Sequence, residues 1–264
     1  VEKNMTESDS KRPRLEAKPI LISVPVGNNP ARIRLLIYLK GIEDQIQLKT
    51  PFDYGGMQSD EYKRINPQGK MPVLILPDGT TIYESKVISG YILDRWNGTG
   101  PKLQASTPEA RALAAQINAI HDLYVASPNA SDPRVTATQG CMYKPVDVID
   151  ADSRALKVAE IAKQLDVLEG LMKGPFCVGE DMTEADLAMY PTFIFFVVML
   201  PKVFGWPDVF HARPKLKTWM KHMETLEPVQ QVKAEVEGGL QNWEQQKRFD
   251  SIIEQIKAAP GLKW

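Results

Sequence analysis

The chain has 264 residues, of which 43% are apolar and 25% are charged, a composition typical of one large or two ordinary globular domains. Its 32 basic and 33 acidic side chains nearly cancel, so no overall field favours nucleic acid or an anionic membrane. The longest apolar stretch, residues 190–200, is too short to span a bilayer and is predicted to be a buried helix. Two cysteines, Cys141 and Cys177, do not make a disulfide framework, which favours a reducing compartment.

The N-terminal residues 1–18 are polar and are predicted to form a disordered tail. They include a short basic run at residues 11–14, which is also compatible with a nuclear address. Because the chain begins with Val1, we leave open whether an upstream targeting segment has been removed.

Residues 19–96 combine strand and helix signals in the order expected for a small α/β domain. Apolar runs alternate with helical spacing, and the pair Asp78-Gly79 is a strong signal for a hairpin turn. The predicted elements are a strand at 19–24, a helix at 31–39, a strand at 44–48, a helix at 60–65, a hairpin at 73–83 and a helix from residue 87.

The remainder of the chain shows only helical signals. Residues 97–106 form a linker by composition, and residues 107–264 are predicted to form an all-helical domain with a C-terminal extension. A segment rich in Pro, Asn and Gly, residues 127–148, is predicted to be a long loop on the substrate side. Thr183 and Asp186 have the spacing of a capping box at a helix start. Further helices are predicted at 152–172, 214–226, 228–247 and 249–259.

Two motifs in the first domain suit a ligand with amino-acid character. Pro72 leads a strand, and a strand end whose Met71 backbone faces outward would pair with an extended peptide. The Ser85 hydroxyl and the first amides of a helix suit a carboxylate, while Glu84 can accept a hydrogen bond from an ammonium group. The alternative is that Glu84 and Ser85 are ordinary first-turn and capping residues.

The order of these pieces resembles the glutathione-binding half of glutathione transferases, and the likeness extends over residues 19–230. The resemblance implies a thioredoxin-like domain followed by a helical bundle, and a cis Met71-Pro72 bond where base rates alone favour trans. It also implies that Met71 offers its backbone to the cysteinyl unit of glutathione and that Glu84 and Ser85 hold the γ-glutamyl end. Lys70, and more weakly Gln58, are candidates for binding the glycyl end.

A transferase of this kind must hold the glutathione thiol as a thiolate. In the family the donor to the sulfur follows the first strand and is usually Tyr or Ser, with Cys in thiol-transfer branches. The matching positions here are Asn28 and Asn29, so the usual hydroxyl is missing. Asn29 precedes Pro30 and is also predicted to cap the helix. A neutral amide cannot act as a base, and we therefore expect thiolate stabilisation instead of proton abstraction.

The second substrate is expected to lie against the helical domain. His121, Tyr124 and also Tyr143 are candidate wall residues. Helical spacing equally allows Tyr124 to belong to the core, and His121 to be a histidine satisfied within the fold.

These observations lead to a functional hypothesis and two alternatives. The resemblance implies a cytoplasmic, homodimeric detoxification enzyme that uses glutathione as co-substrate, needs no metal and acts on an apolar electrophile. From the balanced charge we also expect that the protein binds neither nucleic acid nor a membrane. The first alternative is a non-catalytic interaction module of the same fold, favoured by the missing hydroxyl and opposed by the intact Pro72 and Glu84-Ser85 elements. The second is a glutathione-dependent peroxidase or reductase.

Overall fold

The computed structural model describes residues 18–126 and 138–258, which form an α/β domain followed by a helical domain. Four short strands form one sheet in the order β2-β1-β3-β4, in which β1 and β2 are parallel and the other neighbours are antiparallel. The predicted thioredoxin-like domain followed by a helical domain is confirmed. The elements of the first domain are β1 Ile20–Ile22, α1 Asn28–Lys40, β2 Gln47–Lys49, α2 Asp60–Ile65, β3 Val73–Ile75, β4 Thr81–Tyr83 and α3 Ser85–Arg95.

The register of the sheet brings three separate chain segments to one edge. Ile22 at the end of β1 lies opposite Val73 at the start of β3, and Val73 lies opposite Tyr83 at the end of β4. The residues that follow β1, precede β3 and follow β4 must therefore emerge side by side. This edge carries the start of α1, the Met71-Pro72 pair and the start of α3.

The helical domain is built around α6. This helix is long and apolar enough to cross a membrane by length and composition alone, but 78% of its most apolar window is buried within the chain. It is therefore the central helix of the bundle, as the apolar run at 190–200 predicts. The helices are α4 Pro108–Ile120, α5 Ala151–Leu171, α6 Glu184–Phe204, α7 Pro214–Met223, α8 Glu227–Gln245 and α9 Asp250–Ala258.

The predicted capping box at the start of α6 is confirmed. The Thr183 N–H donates to Asp186 Oδ2 at 2.8 Å, and both halves of the box are present. Asp186 also accepts from the Cys177 N–H at 2.8 Å and from Trp219 Nε1 at 2.9 Å. Burial raises the pKa of Asp186, while these donors oppose the rise. A cap of this kind contributes about 0.5–2 kcal/mol to stability.

Some predicted boundaries differ from the structure. The strand predicted at 44–48 begins only at Gln47, because residues Glu43–Gln45 form a 3₁₀ turn. Of the predicted loop at 127–148, residues 127–137 lie outside the described residues, as does most of the predicted tail. The described remainder contains a buried 3₁₀ helix, Gln139–Met142. The buried Arg154 guanidinium fixes it by donating to the carbonyls of Cys141, Lys144 and Ile149.

The linker between the domains is attached to the end of α1. The buried Lys40 ammonium donates to the Thr99 carbonyl at 2.8 Å and to the Trp96 carbonyl at 3.3 Å. Gly100 has φ +60°, and a Cβ there would lie 2.8 Å from the Leu39 carbonyl oxygen. The linker therefore needs glycine at this point, where backbone passes closely over backbone.

Candidate functional site

The start of β3 presents peptide groups that have no partner within the described fold. The Met71-Pro72 bond is cis, as the resemblance implies. Just before it, the Lys70 carbonyl accepts from Tyr62 Oη and from Asn66 Nδ2, both at 2.8 Å. Burial raises the pKa of Tyr62 to about 12, so this hydroxyl stays a donor. Neither the N–H nor the C=O of Met71 bonds to another described residue, which leaves a strand end open to an extended peptide.

The start of α3 lies beside this strand end and presents a carboxylate and a hydroxyl. Glu84 is exposed, has φ +71° and makes no side-chain cap bond to the helix. This left-handed conformation costs a non-glycine residue on the order of 1–3 kcal/mol, and such strain concentrates at ligand sites. Ser85 is the first residue of α3, and its Oγ lies 3.4 Å from Arg32 Nη1. Glu84 therefore occupies the N-cap position, as the alternative has it, but its side chain does not cap the helix.

The start of α1 contains both candidate asparagines, but neither caps the helix. The N-cap is Gly27, so Asn28 and Asn29 occupy the first turn, and the predicted capping role of Asn29 is wrong. Asn28 Nδ2 donates to Gln139 Oε1 at 2.6 Å and to Thr192 Oγ1 at 3.1 Å, which engages both of its amide hydrogens. The side chain of Asn29 is half-buried and makes no hydrogen bond to a described residue. Of the two, only Asn29 keeps a donor with no partner among the described residues, beside the amides of the first turn.

A buried polar network continues from Asn28 beneath the site and joins the two domains. Thr192 Oγ1 lies 2.7 Å from His121 Nε2, and His121 Nδ1 lies 2.8 Å from Asp122 Oδ1. Arg32, which is 0% exposed, donates to Asp122 at 3.1 Å and to Asn118 Oδ1 at 2.7 Å. The members of this interdomain network are Asn28, Arg32, Asn118, His121, Asp122, Gln139 and Thr192.

The electrostatics of the interdomain network are balanced within it. Burial alone would raise the pKa of Asp122, but the hydrogen bond from His121 and the charge of Arg32 outweigh it and lower the pKa to about 2. Asp122 is therefore ionised at neutral pH and neutralises the buried guanidinium of Arg32. Because the carboxylate can only accept, His121 Nδ1 must carry the hydrogen of this bond, while Nε2 bonds to the Thr192 hydroxyl.

The remaining predicted residues fall in different surroundings. His121 is 1% exposed with both ring nitrogens bonded inside the network, whereas Tyr124 is 53% exposed. Tyr143 packs against the rings of Phe195 and Trp243, with centroids 5.9 and 5.5 Å away. Its ring is therefore partly buried and packs against the core.

The two candidates for the glycyl end of glutathione lie close together. A Cβ built at Gly69, the residue before Lys70, would be 3.5 Å from Gln58 Nε2. The structure thus brings Gln58 and Lys70 to one side of the open strand end. Within the described ranges no group of three or more His, Cys, Asp or Glu side chains is placed to hold a metal ion.

Several polar residues near the site were not singled out from the sequence. Asn118, Asp122, Gln139 and Thr192 lie 86 to 164 residues from their partners on α1. No local motif marks them, because their roles depend on helix packing. The one available signal was a row of polar residues on otherwise apolar helix faces.

Comparisons with protein families match both domains. The family model described as the N-terminal domain of glutathione S-transferase matches residues 28–95, and the model of the C-terminal domain matches residues 151–222. Together they cover just over half of the chain, in the order found in the fold. The chain belongs to the glutathione S-transferase superfamily.

Individual relatives support a function that uses glutathione. Glutathione S-transferase F10 of Arabidopsis thaliana is 33% identical over 52% of this chain, a match that spans 62% of that relative's length. Glutathione S-transferase 2 of Saccharomyces cerevisiae is 27% identical over 80% of this chain and 88% of its own length. Relatives of this identity indicate a glutathione-dependent enzyme without fixing its reaction.

A solved structure supports the fold. A maleylacetoacetate isomerase from Methylobacterium extorquens AM1, with bound malonate and GSH, superposes with a TM-score of 0.65. It is 22% identical, and the match covers 82% of this chain and 97% of that one. This likeness shows that the two-domain architecture is that of glutathione S-transferases.

Proposed function

We propose that this chain is a glutathione transferase that stabilises the glutathione thiolate at the start of α1 and adds it to an apolar electrophile. The observation that carries the proposal is the edge of the sheet, where three elements meet whose polar groups, apart from Ser85 Oγ beside Arg32, have no partner among the described residues. These are the Met71 backbone, the strained Glu84 with Ser85, and the free amide of Asn29. Together they supply a strand pairing, an ammonium acceptor, a carboxylate site and a donor for sulfur.

The elements correspond to the parts of an extended tripeptide. The peptide groups of the cysteinyl unit pair with Met71, while Glu84 accepts from the γ-glutamyl ammonium and Ser85 donates to its carboxylate. Lys70 and Gln58 then meet the glycyl carboxylate. This arrangement directs the thiol toward the first turn of α1, where unpaired amides and the helix dipole favour an anion.

The chemical step is nucleophilic addition by the thiolate. Lowering the pKa of the thiol by about two units requires roughly 2.7 kcal/mol of selective stabilisation of the anion. The start of α1 supplies part of this through its dipole, and a hydrogen bond from Asn29 to the charged sulfur contributes about 1.5–3 kcal/mol. Asn28 shapes the same turn from inside the interdomain network. In a conjugation the adduct is the product, whereas in an isomerisation its carbon–sulfur bond breaks after bond rotation and the glutathione thiolate leaves.

Two observations bear on the alternatives. A reductase that uses a protein thiol needs an accessible cysteine of low pKa, but both cysteines are buried and free. Burial raises the pKa of Cys141 to about 12 and that of Cys177 well above its usual value. A non-catalytic module would bind glutathione without changing its thiol, and the experiment below distinguishes that outcome.

The test compares glutathione with S-methylglutathione, which has no thiol proton. Calorimetry measures affinity, and ultraviolet difference spectra at several pH values measure the thiolate formed on the protein. We expect Asn29→Ala to lower the bound thiolate fraction at neutral pH and kcat roughly tenfold, with little change in affinity. Binding of glutathione with an unshifted thiol pKa would instead identify the module.

We also propose that the protein is a homodimer located in the cytoplasm. Phe52 is 82% exposed and Leu48 is 51% exposed, and both lie at or just after the edge strand β2. Exposed apolar side chains grouped in this way typically mark an interaction surface. The two free cysteines favour a reducing compartment. Light scattering should report twice the chain mass for the native protein and a lower mass for Phe52→Ser.

A further inference from the structure

The loop between β1 and α1, residues 23–27, is attached to the helical domain by α8. This β1–α1 loop leads directly into the turn that carries Asn28 and Asn29. Two contacts from one face of α8 reach it, through Glu235 and through Gly239. Residues four apart on a helix share a face, so both contacts act from the same side.

The first contact passes through Arg34 on α1. Its Nη1 donates to Ser23 Oγ and to the Val24 carbonyl, both at 2.6 Å, and its Nη2 donates to the Pro25 carbonyl at 2.7 Å. Its Nε donates to Glu235 Oε2 at 2.6 Å. One guanidinium therefore binds three successive loop residues on one side and α8 on the other.

Glu235 is itself held in place by a second donor. Tyr38 Oη donates to Glu235 Oε1 at 2.6 Å. Burial raises the pKa of Tyr38, and the neighbouring carboxylate raises it further, so this hydroxyl remains protonated and continues to donate. Both oxygens of the carboxylate are thus engaged by α1, which fixes the position of α8 relative to the first domain.

The second contact is a close approach between helix and loop. A Cβ at Gly239 would lie 2.3 Å from Val26 Cβ and 2.9 Å from Val26 Cγ2, closer than real atoms approach. Any larger residue at 239 must displace the loop or the helix. The neighbouring Gly238 has no atom within 4 Å of its Cβ position.

We propose that α8 positions the thiol-binding turn, with Glu235 fixing the β1–α1 loop through Arg34 and Gly239 setting the loop's distance from α8. Glu235 and Gly239 are positioning residues, since neither is placed to touch glutathione. The inference rests on the proposed function. It predicts that changes on α8 alter the reactivity of the sulfur while leaving the binding of glutathione, which depends on β3 and α3, nearly intact.

The test uses the two adjacent glycines as a matched pair. Alanine is favoured over glycine in a helix, so both Gly238→Ala and Gly239→Ala gain helix propensity. We expect Gly239→Ala to lower kcat with glutathione and a chlorodinitrobenzene about tenfold, with KM for glutathione within about twofold of wild type, because small misplacements of a reacting group are costly. Gly238→Ala should match wild type. The bound thiolate absorbance should fall in parallel with kcat.

A compensating change separates positioning from general damage. In the double variant Val26→Gly/Gly239→Ala the clash between the two Cβ atoms is removed, and kcat and thiolate absorbance should recover at least partly. As a second route, Glu235→Gln keeps one oxygen that can accept a hydrogen bond but replaces the other by an NH2 group and removes the charge that faces Arg34, and we expect a loss in kcat of about fivefold. Glu237→Gln on the same helix serves as its control.

The outcomes are distinguishable. If wild type binds glutathione without forming thiolate, the proposed function fails and this inference fails with it. If wild type forms thiolate but Gly239→Ala and Gly238→Ala behave alike, and Glu235→Gln matches Glu237→Gln, the inference alone is overturned. Should Gly239→Ala not fold, the Glu235→Gln pair decides by the same criteria.

Discussion

The open sheet edge and the interdomain network beneath it differ in how far their polar groups are paired among the described residues, although Arg32 Nε and Gln139 Nε2 in the network are also unpaired there. At the edge, the Met71 peptide groups and the Asn29 amide have no partner among the described residues. In the network, Arg32, His121 and Asp122 bond to one another within the chain. Folded proteins satisfy nearly all buried polar groups, and groups left open at the end of a sheet are available to a ligand. The difference favours a ligand-binding role for the edge and a structural role for the network.

Removing Arg32, the central cation of the network, tests the comparison most directly. Arg32→Met leaves Asn118 without its donor and Asp122 without its counter-charge, and taking one partner from a buried pair typically costs about 3–5 kcal/mol. We expect the free energy of unfolding in urea to fall by about 3 kcal/mol, because Asp122 keeps its bond from His121. Arg64→Met, on the exposed face of α2, should change it by less than about 0.5 kcal/mol. Equal effects would contradict a structural role for the network.

Lowering the pH should weaken the network over a defined pH range. Arg32 and His121 hold the pKa of Asp122 at about 2, below its ordinary value of 3.8. A depressed pKa means that the stabilisation is complete above the ordinary value and is lost as the pH falls from 3.8 toward 2. Asp122→Asn should therefore be less stable than wild type by about 2 kcal/mol at pH near 7, and the gap should close in acid.

That prediction is checked by urea unfolding of both proteins over a series of pH values. A gap that stays constant between neutral pH and pH near 3 would show that the ionised carboxylate contributes nothing specific.

At the open edge, two serines on α3 sharpen the contrast between binding and packing. Ser85 begins the helix, whereas Ser89 is buried one turn later and its hydroxyl has no partner among the described residues. Ser85→Ala should weaken glutathione binding roughly tenfold in calorimetry, as expected for losing a hydrogen bond to a charged carboxylate. Ser89→Ala should leave affinity unchanged. A loss of affinity in both variants would point to distortion of α3 instead.

The two neighbouring asparagines, Asn28 in the network and Asn29 at the edge, allow the same comparison with the smallest expected effect. Asn28→Ala removes two hydrogen bonds of the network and leaves Gln139 and Thr192 without their donor, so we expect a loss of about 1 kcal/mol in stability. Asn29→Ala removes no bond to a described residue and should be nearly neutral in the same thermal unfolding experiment. Similar losses would mean that Asn29 is also a structural residue and not the free donor at the edge.

The edge was largely predictable from the sequence because its signals are local. The hairpin turn at Asp78-Gly79 fixes the order of β3 and β4, and Pro72 and Ser85 lie at fixed offsets from it. The helical periodicity of the second domain was equally easy to recognise, and the capping-box pair Thr183 and Asp186 marked the start of α6. These features depend on neighbours along the chain and on the 3.6-residue period.

The network was not predictable because its members meet only through packing. Asn28 reaches Gln139 across 111 positions and Thr192 across 164. His121 was expected either to face a substrate or to be satisfied within the fold, and it lies buried in the network at the start of the π-helical segment His121–Ala126. The start of α1 was misplaced for a related reason. An Asn-Pro pair favours a cap, yet bonds to the other domain hold Asn28 inside the first turn.

The bonds that cross from α1 to the bundle have a practical consequence for engineering. Arg32 and Arg34, both on α1, bind groups on α4 and α8. The charges on the first domain are therefore matched by groups on the helical domain of the same chain. Chimeras that graft a foreign bundle onto this first half should misfold or lose activity unless counterparts of Asp122 and Glu235 are transplanted with it.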